Sequence, residues 1–315
     1  MNSKTLHITN GDSALYLWKK AGLLGTHVAW RDMLHDGPVL GDRPLEAMSV
    51  IRASFLAHEG YGNAIRINRE FERRDAAMRK AAEFDEVVLW FEHDLYDQLQ
   101  LLQILSVVRE MGLGAGTVQL INSEHYLGTL TTDEALALLP KRRSLTSAVA
   151  AGAHRAWLAF TGSDPAALRA ACDETYPGLP FMQSGLQRLC EEFPAVENGL
   201  SRTQRQILEA VAQGARDDDE VFKRSQGRED AAFLGEAACL KKLAELRADP
   251  APLVAQLEDG YVPTVLGRRV LAGDADWLEF QPLERYIGGM HLETTHHWRW
   301  DEEARTFVER AGATL

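Results

Sequence analysis

Cysteine is scarce in this 315-residue chain. The three that occur, Cys172, Cys190 and Cys239, are far apart and form no CxxC pair, which excludes a disulfide framework or a cysteine zinc site and suits buried thiols in a reducing compartment. Positive charge is also in deficit, with 34 Lys and Arg against 46 Asp and Glu and a formal net charge of −12. A field of that sign repels a polyanion, so nucleic acid is an unfavourable partner unless a local basic face overcomes it. No apolar run has the length that crosses a bilayer, and the opening Met1-Asn2-Ser3-Lys4-Thr5-Leu6-His7 lacks the apolar stretch of a signal peptide. The expectations are no membrane association and a cytoplasmic location.

What is present is ordinary globular composition, 45% hydrophobic and 25% charged, over a length that suits two domains. The first 130 residues alternate short apolar runs with helical patterns, the signature of a parallel sheet with crossover helices. Strands are expected at residues 5–9, 25–30, 86–91 and 117–121, and helices at 14–21 and 95–111, with one long or two shorter helices across 44–82 that Gly60-Tyr61-Gly62 would interrupt. The pattern predicts a doubly wound, mainly parallel α/β domain over residues 1–150. A helical connector follows over 151–200, its Asp164-Pro165 marking a helix start. Residues 201–315 read as a winged-helix-like α+β domain: helices at 201–213, 219–225 and 231–248, then two short strands across Glu258-Asp259-Gly260. The segment from His291 to Trp300 (HLETTHHWRW) is expected to form a C-terminal flap, with Trp298 and Trp300 packed on the core and Gly288-Gly289 allowing a tight bend before it.

Ligands of open parallel sheets bind beyond the carboxyl ends of the strands, where loops and helix N-termini converge. Polar residues gather at four such ends here: Asn10, Gly11, Asp12 and Ser13; Arg31, Asp32, His35 and Asp36; Glu92, His93, Asp94 and Asp97; Asn122, Ser123, Glu124 and His125. Individual members have plain structural roles, Asp12 or Ser13 as a cap of the first helix and Asp94 as a cap of the helix at 95–111. Four polar strand ends in succession call for more than capping. The expected function is therefore binding of a small molecule or nucleotide-type ligand, with hydrolysis as a candidate activity. Asp12, Ser13, Asp32, His35 and His93 are the catalytic candidates, and Asn10, Gly11, Arg31, Glu92, Asp94 and Asp97 the ligand-binding ones.

Two chemistries fit these residues. Gly11-Asp12-Ser13 resembles the serine block of the GDSL-type esterases, which would make Ser13 a nucleophile at a helix N-terminus, and Asp32-Met33-Leu34-His35 supplies a D-x-x-H pair to activate it. In those esterases the D-x-x-H lies near the end of the domain, and no G-x-N-D block occurs in this chain. Alternatively, Asp12, Asp32, Glu92, His93 and Asp94 supply carboxylate and imidazole ligands for a divalent metal, the one cofactor the composition of the cluster suggests. In extended backbone at most two of Glu92, His93 and Asp94 can face one site.

The C-terminal half offers a rival function, a non-enzymatic regulator or adaptor. Its third helix would carry Lys241, Lys242 and Arg247 to a duplex, yet residues 201–315 hold 15 Lys and Arg against 21 Asp and Glu. That balance favours a protein partner over DNA. The run Lys141-Arg142-Arg143 is too short to change it.

Three separated blocks, His7-Ile8-Thr9-Asn10-Gly11-Asp12-Ser13, Trp30-Arg31-Asp32-Met33-Leu34-His35-Asp36-Gly37-Pro38 and Trp90-Phe91-Glu92-His93-Asp94-Leu95-Tyr96-Asp97-Gln98-Leu99, resemble the bacterial family built on the domain of unknown function numbered 1835. Arg285-Tyr286-Ile287-Gly288-Gly289 resembles the ending of its longer members. The resemblance implies no particular activity, but its blocks coincide with the polar strand ends.

Overall fold

The computed structural model describes residues 4–114 and 116–311, so Met1 to Ser3 of the opening segment lie outside the described residues. The chain divides into two compact units, Met1–Leu186 and Gln187–Leu315.

The first unit is mixed α/β. In chain order it contains β1 (Thr5–Thr9), α1 (Asp12–Lys20), β2 (Thr26–Ala29), the two-residue β3 (Gly37–Pro38), α2 (Leu45–His58), α3 (Ala64–Arg79), β4 (Glu86–Phe91), α4 (Leu95–Glu110), β5 (Val118–Asn122), α5 (Thr132–Leu136), β6 (Arg143–Ser144), α6 (Ser147–Thr161) and α7 (Pro165–Asp173). Its sheet runs β2-β1-β4-β5-β6, with β6 the one antiparallel strand. Burial explains the central place of β4, because Val87 to Phe91 are all inaccessible and read as a continuous apolar run, as a parallel strand covered on both faces must. Alternate residues Val88 and Trp90 pack with Ala14, Leu17 and Trp18 of α1, the two indoles 4.3 Å apart. Two buried indoles find partners, Trp90 Nε1 donating to His7 Nδ1 at 3.1 Å and Trp30 Nε1 to Gln103 Oε1 at 2.8 Å, whereas Trp18 Nε1 is buried without an acceptor among the described residues.

The expected break in residues 44–82 is where the sequence puts it, with Gly60 at φ 79° closing α2 before Asn63 caps α3. The expected connector differs, since α6 belongs to the first unit and packs along α4, where Ser106 Oγ and His154 Nδ1 are 3.1 Å apart. Helix propensity alone could not tell a linker from a layer of the core.

The chain passes into the second unit within α8 (Met182–Cys190). There follow α9 (Arg202–Ala212), started by a Ser201/Gln204 capping box, α10 (Asp218–Gln226), α11 (Glu236–Glu245), the hairpin β7 (Val254–Leu257) and β8 (Gly260–Pro263), and α12 (Val265–Leu271). Then β9 (Glu284–Gly288), β10 (Met290–Glu293), β11 (His296–Asp301) and β12 (Thr306–Ala311) form antiparallel neighbours in chain order. This corrects the expected flap: HLETTHHWRW supplies two adjoining strands, with His297 and Trp300 buried and Gly288 turning β9 into β10 at φ 59°. Met290-His291-Leu292-Glu293 alternates apolar and polar residues and carried a strand signal for β10, whereas in β11 polar His297 and Arg299 are buried along with Trp300.

Candidate functional site

The strand order places the site. From β1 the chain steps outward to β2, returns past β1 to β4 on its other side, and continues to β5. The order therefore reverses between β1 and β4, and in open parallel sheets the carboxyl ends of the strands flanking such a reversal are where ligands bind. Asn10 follows β1, and Glu92, Asp94 and Asp97 follow β4.

These residues converge. Glu92, Asp94 and Asp97 each present a carboxylate oxygen, all within 4.8 Å of one another. They are 5%, 4% and 0% exposed, and among the described residues no lysine or arginine forms a salt bridge with any of them. Neutral donors hold the cluster instead. Asn10 Nδ2 donates to Asp97 Oδ2 at 2.6 Å, the Glu92 amide donates to Asp97 Oδ1 at 2.6 Å, and the Leu127 amide donates to Glu92 Oε1 at 2.7 Å. Asp94 caps α4 as the sequence suggests, its Oδ1 accepting from the Asp97 amide at 3.0 Å.

Burial beside like charge has the expected electrostatic consequence. Desolvation, then the charge of Asp94, raises the Glu92 carboxyl to about 7, and desolvation raises Asp94 to about 7 as well. Asp97 is pushed well above the ordinary range by burial and by both neighbours. Such a cluster is short of positive charge at neutral pH. Its donor set consists of hard oxygens, and Gln98, buried in the same turn of α4, leaves its Oε1 without a hydrogen-bond donor. Oxygen donors of this kind suit Mg2+, Mn2+ or Ca2+.

The other expected residues are distributed differently. His93 lies apart from the carboxylates, its ring 5.0 Å from that of Tyr126 and 5.9 Å from that of Phe181, and desolvation followed by the charge of His125 lowers its pKa. Gly11, in extended conformation, is the N-cap of α1, so Asp12 and Ser13 begin the helix and do not cap it. Asp12 is exposed and ion-paired with Arg31. Ser13 is exposed, its Cβ close against Gly128, and among the described residues no imidazole or carboxylate hydrogen-bonds its hydroxyl. Asp32 is fully buried, its Oδ1 accepting from Arg52 Nε at 2.9 Å while Arg74 Nη1 stands 3.8 Å from Oδ2. Its carboxylate is thus committed to guanidiniums. His35 is buried, its ring 6.2 Å from that of Tyr96.

Sequence reasoning missed Arg52 and Arg74. Arg52 donates also to the carbonyls of Met33 and Asp36, fixing the turn after β2, and Arg74 lies between the rings of Trp30 and Phe71. A signal existed: Arg52 stands four residues after Met48 and four before Leu56, on the apolar face of α2. No protein-family model and no curated protein matches the chain.

Proposed function

We propose that the first unit binds a divalent cation at Glu92, Asp94 and Asp97 and, through it, a phosphate-bearing small molecule, with phosphate-ester hydrolysis as the reaction class. The observation that carries this reading is the convergence of three buried, ion-pair-free carboxylates at the point where the strand order reverses. Three carboxylates without a cation cost stability, so their retention in a folded chain needs a reason other than folding. A cation there would polarise a phosphoryl oxygen and acidify water, and it would remove the repulsion that the carboxylates alone exert on an anionic substrate. Hydrolysis would join the water oxygen to phosphorus, break the phosphorus–oxygen ester bond and leave the alcohol with the proton. The nucleophilic-serine alternative has less support, because among the described residues Ser13 has no base bonded to it and Asp32 is held by Arg52. The doubly wound α/β class and membership of the family of the domain of unknown function 1835 belong to the same proposal, supported by the crossover at β1 and β4 and by the coincidence of two family blocks with Asn10 and with Glu92 to Asp97.

Titration calorimetry with Mn2+ and Mg2+ tests it. One site is expected at pH 8, and its apparent affinity should fall on acidification below about 7, where Glu92 and Asp94 take up protons that the cation must displace. Each displaced proton makes the fall about tenfold per pH unit. Absence of binding at pH 8, or affinity independent of pH between 6 and 8, would overturn the reading.

For the second unit, the order of α9, α10 and α11 followed by the β7–β8 hairpin supports the winged-helix-like reading and, with it, a protein-contact role. Lys242 is buried and pairs with Glu245 at 2.8 Å, which removes one of the cations that a DNA-reading third helix would present.

A further inference from the structure

A second feature of the first unit is a cleft of about 230 Å3 beside the α2–α3 turn. Its wall is apolar where Leu56, Ile67 and Phe71 line it, all three buried. Tyr61, from the turn that Gly60 opens, and Tyr96, from the first turn of α4, add two further aromatic faces. Largely exposed Arg66 and half-buried Arg31 supply positive charge, with Glu70 3.0 Å from Arg66 and 3.8 Å from Arg31. Asp12 engages Arg31 from outside the lining. Asp12 and Glu70 balance the two guanidiniums, so an anion would be held by the N–H groups these pairs do not use: Arg66 meets Glu70 through Nε, and Arg31 meets Asp12 through Nε and Nη2. Folding alone favours filling such a space, since close packing gains dispersion energy that an open apolar wall forgoes.

The cleft and the carboxylate cluster both draw on the start of α4. Tyr96 lines it and stands in sequence between Asp94 and Asp97. The Tyr96 phenol is pushed up by burial and then by the charges of Asp32, Asp97 and Asp94. An aromatic, apolar wall takes a flat ring, and guanidiniums take phosphate oxygens in a bidentate manner. The geometry points to this cleft as the specificity site for the ring of a small aromatic phosphate ester, of the size of phenyl phosphate or the base and sugar of a nucleoside monophosphate, its phosphate drawn to Arg31 and Arg66. The substrate class rests on the cation reading above, whereas the cleft is independent of it.

Calorimetry separates the two. Phenyl phosphate, the four common ribonucleoside monophosphates and inorganic phosphate are titrated with Mn2+ present and again with EDTA, into the full chain and into Tyr61→Ala, Arg66→Ala and Asp94→Asn, each checked for an intact thermal transition. At least one ring-bearing phosphate should bind about tenfold or more tightly than inorganic phosphate, a preference of about 1.4 kcal/mol. Tyr61→Ala should erase that preference, whereas Arg66→Ala should weaken ring-bearing and inorganic phosphate alike. Mn2+ binding without any preference for a ring, or a preference that Tyr61→Ala retains, overturns the cleft assignment and leaves the cation reading standing. A ring preference that is lost in Tyr61→Ala, found together with no binding of Mn2+ at pH 8, does the reverse.

Discussion

Asp94→Asn should make the cation-free protein more stable at pH 8 while abolishing its binding of Mn2+. The two effects have one cause. Asparagine caps a helix as well as aspartate, so the acceptor for the Asp97 amide at the head of α4 is kept. The other oxygen becomes an amide group able to donate to Glu92 or Asp97, in place of a third negative charge. The folded carboxyl of Asp94 sits at about 7 against an ordinary 3.8, so the folded state holds its proton where the unfolded state has released it. That penalty is absent below the ordinary value, grows as pH rises between the two, and is complete above about 7. A tenfold difference in proton affinity between folded and unfolded chain is worth about 1.4 kcal/mol, and sharing of protons among three carboxylates reduces the total, so a gain of about 1–3 kcal/mol is expected at pH 8. Thermal melts at pH 8 and pH 4 would show it as a rise at the first and none at the second. A loss of stability at pH 8 would mean that the carboxylate serves the fold, and its retention would no longer speak for a cation.

How much of this was legible in the sequence depended on how local each signal is. The run Val87-Val88-Leu89-Trp90 announces a buried parallel strand because every residue is apolar, and Asp94 announces a cap because it immediately precedes the apolar helix. The gathering of polar groups at strand ends was equally readable. Which of them would meet was not, because that depends on strand order: only once β1 and β4 are adjacent does Asn10 reach Asp97, eighty-seven positions away. The same limit hid the fate of Asp32, whose partner Arg52 lies on the next helix and pairs with it only after the turn following β2 folds back. In the second unit the β9–β12 sheet was missed for a different reason. The segment was expected as a flap resting its tryptophans on the core, and β11 gives no clean in-and-out alternation, since Arg299 is buried beside Trp300 while Trp298 is half-buried.

The largest loss of stability is expected from Asp32→Ala. Arg52 and Asp32 both have side chains without any solvent exposure, and removal of the carboxylate leaves a buried guanidinium with backbone carbonyls as its remaining acceptors and Arg74 close by. Breaking a buried pair from one side costs about 3–5 kcal/mol, because the remaining charge keeps its desolvation penalty without its partner. Chemical denaturation should therefore show the first unit destabilised by that amount or unfolded outright. Asp32→Asn, which keeps an acceptor for Arg52 Nε, should lose less, and adding Arg52→Met to Asp32→Ala should recover part of the loss, since an apolar pair of similar volume no longer strands a charge. Asp32→Asn also separates structure from chemistry. Were Asp32 the partner of a catalytic histidine, the variant would fold with near-native stability and lose activity or ligand binding; as a structural ion pair, it should lose stability while leaving Mn2+ binding at the proposed site unchanged, because Glu92, Asp94 and Asp97 follow β4, on the other side of β1 from the strand that Asp32 follows.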